Sequence, residues 1–235
     1  MIFQVGIEND FEGRSIAWAL EHPGCFAYGI NADGAALNLE SALSKYAGWI
    51  LRHETNTWLT FAESEIELAI NGTWGVYYIN DDMDKCAEVD GYSVNSFFPY
   101  DWKPLTALEI KHALVMLAWS REDLLKSVQG LTLEKLGATY PGERWSISGI
   151  LGHVGAAEYW YLDRLGLAFS HDKLPEEPLT RLEVVRKQFA SVLPKLAGVK
   201  RVVGVDGEFW SPRKLLRRTL WHERDHTEHI NKLRQ

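Results

Sequence analysis

Hydrophobic and polar positions follow one rhythm in the first part of the chain and another in the second. Near the start, apolar residues come in short runs broken by turn residues. Ile2-Phe3-Gln4-Val5-Gly6-Ile7 predicts a strand, Asn9-Asp10-Phe11-Glu12-Gly13 a turn, and residues 15–20 a second strand. His22-Pro23-Gly24 breaks that strand, and a third is expected over 25–30. The period then changes. Ala36, Leu39, Leu43, Tyr46, Ala47 and Ile50 recur at helical spacing, which predicts an amphipathic helix over 33–52 with Asp33 as its N-cap. Strict alternation returns at Glu65-Ile66-Glu67-Leu68-Ala69-Ile70, a strand, and further strands are expected over 76–79 and 85–89.

From residue 105 onward only the helical period remains. One helix is predicted over 105–128, with Leu108, Ala113, Leu114, Met116, Leu117, Leu124 and Leu125 at helical intervals. Thr106 and Glu109 have the spacing of a capping box, and Gly130 closes the helix. A second is expected over 146–165, a third over 180–196, and a fourth over 212–233 with Ser211 as cap and Pro212 at its first position. Four helices of this length without strands predict a four-helix bundle. The fold class is therefore α+β followed by all-α, with domains at 1–98 and 104–235. Between them lies Phe97-Phe98-Pro99-Tyr100-Asp101-Trp102-Lys103-Pro104, whose two prolines disfavour a continuous helix. Its aromatics predict a seam packed between the domains.

Composition narrows the class. Of 235 residues, 46% are hydrophobic and 24% charged, as in globular proteins. No apolar run approaches the roughly 18–20 residues that span a bilayer, so no membrane association is expected. The first residues lack the basic and small-residue features of a signal peptide. Cys25 and Cys86 make no disulfide framework, and a reduced, cytoplasmic protein is the expectation. The net charge of -7 argues against nucleic-acid binding through a broad basic surface. That total conceals a division. Residues 1–100 hold 15 acidic and 4 basic residues, a net of -11, while the remainder holds 17 and 21, a net of +4. Six of the 8 histidines also lie after residue 100. Two units with different surfaces follow. The 10 Trp are an unusual number, which bundle packing accounts for in part.

Chemistry concentrates in the second half. His222 and His226 are spaced i, i+4, which places two imidazoles on one helix face, one turn apart, where they can grip one metal ion. His153 stands in the second bundle helix among Gly149, Gly152, Gly155, Ala156 and Ala157, small residues that leave room for a close helix approach or a cavity. A third imidazole from there completes a three-His set with open positions for water or substrate. Glu223 and Asp225 flank the ligands and read either as partners of a ligand imidazole or as helix-surface ion pairs. His229 faces a similar way and reads as an exposed residue, a substitute ligand or a proton shuttle; His112 reads as a bundle residue and His171 as a solvated one. Arg213, Lys214, Arg217 and Arg218 cluster at the start of the fourth helix. They read either as a solvated face or, through Arg213 and Arg217, as the binding site of an anionic cosubstrate. In the first half, His22 with Cys25 reads as a strand-end His beside a buried thiol, and Asp81-Asp82-Met83-Asp84 as a solvated acidic turn.

Two resemblances sharpen these readings. Trp145-Ser146-Ile147, Leu151-Gly152-His153-Val154 and Leu220-Trp221-His222-Glu223-Arg224-Asp225-His226 resemble, in order and spacing, the DinB/YfiT-like superfamily across residues 104–235. The resemblance implies a DinB-like four-helix bundle with a divalent metal (zinc, nickel or manganese) on His153, His222 and His226. It also implies a metal-dependent enzyme of thiol S-transferase or hydrolase type, the metal activating a low-molecular-weight thiol or water toward a small-molecule substrate, in a bundle that commonly pairs as a homodimer. His22-Pro23-Gly24-Cys25-Phe26-Ala27-Tyr28-Gly29, followed by a helix with Ala42 and Tyr46, resembles the HicB-like family over residues 1–70. That implies a small α/β-sandwich of strand, strand, strand, helix, strand order, serving as a partner- or ligand-binding module that packs on or regulates the bundle. The alternatives to an enzyme are a non-catalytic metal-binding sensor or scaffold, and an antitoxin-like protein.

Overall fold

The short apolar runs at the start of the chain pair as an antiparallel meander. In the computed structural model, which describes residues 1–55, 57–79 and 92–234, these are β1 (Ile2–Phe11), β2 (Arg14–Ala19) and β3 (Phe26–Gly29). Helix α1 (Ala32–His53) then crosses over and delivers β4 (Glu67–Gly75) parallel to β1, giving the order β3-β2-β1-β4. The helix buries Leu39, Leu43, Tyr46 and Ile50 against the sheet, as its period predicts. Its cap differs from expectation. Asn31, not Asp33, accepts the hydrogen bond from Gly34 N, at 2.9 Å, and Asp33 lies inside the first turn. Cys25 is buried, and His22 packs its ring against those of Phe3 and Tyr46. Burial lowers the pKa of His22 to about 4. A short antiparallel pair, β5 (Tyr77–Ile79) with β6 (Tyr92–Val94), follows. The strand expected over 85–89 and the acidic turn Asp81-Asp82-Met83-Asp84 lie outside the described residues.

All of the proline-aromatic segment but Pro104 belongs to this first unit. Gly6 of β1 and Gly72 of β4 stand side by side in register, leaving a slot in the sheet. The Phe98 ring fills the slot, 2.6 Å from where a Cβ on Gly6 would lie, and Pro99 covers Gly72. Asn71 accepts a hydrogen bond from Tyr100 N at 3.0 Å and fixes the segment to β4.

The chain divides by its contacts into Met1–Lys103 with Gly204–Trp210, and Pro104–Val203 with Ser211–Gln235. The contiguous second domain expected over 104–235 is thus interrupted. Residues 204–210, most of the hairpin β7 (Val203–Val205) and β8 (Glu208–Trp210), belong with the first unit. There Phe209 lies against Phe97 and Trp102. The hairpin's turn, Asp206-Gly207, has positive φ at both residues, the two-residue turn that Asp-Gly favours.

The second unit holds α2 (Ala107–Val128), the five-residue α3 (Leu133–Gly137), α4 (Ile147–Arg164), α5 (Pro178–Val192) and α6 (Pro212–Leu233). Thr106 and Glu109 form the expected capping box, and Ser146 and Ser211 cap α4 and α6. The helix expected over 180–196 starts and stops earlier. Glu177 caps it, Pro178 takes its first position, and Pro194 confines residues 193–196 to a 3-10 turn. Leu124, Ile147, Ile150, Leu151, Val154, Leu182 and Ile230 form an apolar cluster drawn from all four long helices. The small residues of α4 do permit a close approach. A Cβ on Gly155 would stand 3.0 Å from the Arg181 side chain of α5, whose guanidinium donates to Gly152 O at 3.2 Å.

Gly29 yields a direct test of the first unit. A Cβ there would lie 2.0 Å from Ala35 N and 2.4 Å from Gly34 C, backbone atoms that cannot give way. Gly29→Ala is expected to destabilise the protein by at least about 2 kcal/mol in urea unfolding followed by far-UV circular dichroism. A change of less than about 0.5 kcal/mol would refute this account of how α1 meets the sheet.

Candidate metal centre

Helix α4 carries His153 and helix α6 carries His222 and His226, and the bundle turns all three inward to one point. His222 Nε2 lies 3.0 Å from His153 Nε2 and 3.2 Å from His226 Nε2. Among the described residues these three form the one group of His, Cys, Asp and Glu whose ligand atoms meet closely enough to hold a metal ion. Each neutral imidazole presents at Nε2 either one proton or one lone pair, so the central His222 nitrogen makes a good hydrogen bond to only one of its two neighbours. A single cation removes that conflict. Two nitrogens each about 2.0–2.1 Å from a tetrahedral zinc stand roughly 3.4 Å apart, close to the separations found. The donor set and its spacing therefore fit a divalent ion held by His153, His222 and His226.

The surroundings keep the imidazoles neutral and oriented. Burial pushes the His222 pKa well below its ordinary value, and His226, His153 and Arg218 add to the effect. Burial lowers His226 to about 3, helped by His153 and His229. Burial and then the charge of Arg144 lower His153. Neutral imidazole is the form that ligates metal. The Trp145 indole stacks on His153 with ring centroids 4.4 Å apart and planes 25° apart. Arg144 sits over the Trp145 ring, 4.8 Å from its centroid. His226 Nδ1 is buried without a hydrogen-bond partner among the described residues.

The other expected residues fall elsewhere. His229 is half-buried and bonds Glu143 at 2.8 Å. His112 stands on α2, and His171 lies exposed beside Tyr159. Lys214, Arg217 and Arg218 are buried, so the cluster at the start of α6 is not a solvated face. Arg213 is buried as well. Its guanidinium bonds both carboxylate oxygens of Glu109, at 2.6 and 3.1 Å, and Pro104 O at 2.9 Å, which commits it to the α2 capping box.

Glu223 is neither a surface residue nor a partner of a ligand imidazole. It belongs to a buried group of four charges, one from each long helix. Arg121 Nε meets Glu223 at 2.5 Å and its Nη2 meets Glu158 at 2.8 Å. Arg186 meets Glu158 at 2.6 Å and Glu223 at 2.8 Å. Arg121 also donates to Leu182 O and Arg186 to Leu117 O. Burial raises the Glu223 pKa, but Arg186 and Arg121 outweigh it and hold the carboxyl below its usual range. Three of the four residues escape a pattern reading, although a signal exists. Arg121 sits between Leu117 and Leu124, Glu158 between Val154 and Tyr161, and Arg186 between Leu182 and Phe189, each on an apolar stripe.

Fold and site together define a four-helix bundle with a three-His cluster at its interior. Residues 116–230 match the family model of the DinB superfamily, so this part of the chain is DinB-like. The match contains all three histidines and all four charges. No curated protein and no solved structure matches the chain. No helix among the described residues is long and apolar enough to cross a membrane.

Proton linkage gives a second test. Because the folded pKa values of these histidines lie below 6.5, the unfolded chain binds more protons than the native one in mild acid. In the absence of metal, their contribution to stability is complete above about pH 6.5 and is lost as the pH falls toward 3. Urea midpoints measured at stepped pH are expected to fall over this window, and more gently in His226→Gln. Identical slopes for the two proteins would contradict the assignment.

Proposed function

We propose that the DinB-like part of this protein is a divalent-metal enzyme centre for group transfer to or from a small molecule. The observation that carries this reading is the meeting of three neutral Nε2 atoms within the bundle. His153, His222 and His226 would hold the ion, with zinc, nickel or manganese as candidates. When bound, the ion would lower the pKa of a thiol or water and so supply a nucleophile at neutral pH. The chain's own residues prepare for this in three ways. Three uncharged ligands leave the positive charge of the ion undiminished. The stack of Trp145 on His153 holds one ligand ring in place. Burial keeps protons from competing for the ligand nitrogens.

A low-molecular-weight thiol as cosubstrate and S-transfer as the reaction extend this reading, on the strength of the match to the DinB superfamily. The strand, strand, strand, helix, strand order supports reading the first unit as a HicB-like fold, and a binding role that regulates the centre extends that reading.

Metal content decides the core of the proposal. Protein purified without a histidine tag is expected to carry about one equivalent of divalent metal by plasma mass spectrometry, and His222→Ala well under a tenth of that. Equal, trace contents in both would eliminate the metal centre. Turnover of an electrophile with a panel of small thiols then tests the transfer chemistry. Metal-loaded protein without any thiol dependence would point to hydrolysis instead.

A further inference from the structure

We infer that the buried ring of Arg121, Glu158, Arg186 and Glu223 is the positioning device of the histidine cluster: it sets the rotation of α4 and α6 at which the three imidazoles meet. The inference rests on the metal-centre reading above. Glu223 directly follows His222 on α6, and Glu158 lies five residues after His153 on α4. Each carboxylate is gripped by both guanidinium groups, at 2.5–2.8 Å in its shortest contacts. A side-chain tip lies about 5–6 Å from its helix axis, so a 20° rotation moves it by about 2 Å. That movement would part nitrogens now 3.0–3.2 Å from one another. Apolar side chains resist such a rotation weakly, because they repack at small cost. Paired guanidinium-carboxylate bonds resist it strongly, because both partners are planar and directional. The two arginines also reach backbone carbonyls, Arg121 on α5 and Arg186 on α2, which extends the constraint to all four helices. None of the four side chains is a metal ligand; each acts through the helix that bears an imidazole or through its partners in the ring.

The test compares zinc affinity, measured by competition with a chromophoric chelator, the ligand-field spectrum of the cobalt-substituted protein, and the thermal midpoint without metal. All are measured on the full chain. Arg186→Lys keeps every charge but removes the planar fork. A fourfold replacement, Arg121→Met, Glu158→Leu, Arg186→Met and Glu223→Leu, removes the ring while leaving a neutral core, which such exchanges commonly tolerate. Phe189→Leu, one turn from Arg186 and fully buried, lowers stability without touching the ring. Both ring variants are expected to bind zinc about 10–100-fold more weakly and to shift the cobalt bands. Phe189→Leu is expected to lose several degrees of thermal midpoint while keeping zinc affinity within twofold and an unchanged spectrum. Arg186→Lys binding zinc within twofold of wild type would overturn the inference. So would Phe189→Leu losing affinity as the ring variants do, since stability alone would then explain the effect. Wild-type protein that binds neither zinc nor cobalt would instead sink the metal-centre reading.

Discussion

Two guanidinium groups and two carboxylates, closed on one another inside a bundle, set the terms for the rest of the second unit. Placing any one of them there alone would cost several kcal/mol of lost hydration. Together they are neutral, and each long helix must bring its member before the others are satisfied. The apolar layer of Leu124, Ile150, Leu151 and Leu182 supplies the drive to collapse but tolerates many arrangements. The ring admits one. It therefore works as a registry device, in the way a single buried polar residue fixes the pairing of a coiled coil.

The chemical character of the cluster follows from the same interior. Charges that balance among themselves add no net charge beside the imidazoles. The imidazoles experience burial, their own mutual repulsion and the nearby cations Arg144 and Arg218, all of which oppose protonation. The result is a nest of unprotonated nitrogens within a helix bundle, poised for a cation. The close packing of α4 on α5 belongs to this design. Glycines at 152 and 155 let Arg181 lie flat along α4 instead of wedging the helices apart.

What the sequence disclosed was whatever depends on local spacing. The i, i+4 pair of His222 and His226, the caps at Thr106, Ser146 and Ser211, and the three-strand start with its helix are all written in neighbouring residues. What it concealed depends on distant partners. Arg121 and Glu223 are separated by 102 positions, and a charge on an apolar stripe gives no sign of the counter-charge that makes its burial tolerable. The basic run at 213–218 reads as a wet face for the same reason. Boundaries shifted where two caps compete: Asn31 prevails over Asp33, and Glu177 with Pro178 begins α5 before Thr180. The Asp-Gly turn of the hairpin was a readable local signal, but nothing local assigns the hairpin to the unit that lies a hundred residues earlier.

That hairpin also bears on how this protein can be divided. Because residues 204–210 lie with Met1–Lys103, the backbone passes between the two units three times rather than once. No single cut yields two whole pieces. A fragment beginning at Pro104 carries a strip of its neighbour's structure, and a fragment ending at Lys103 lacks it. The two units are interleaved in the chain rather than strung in sequence.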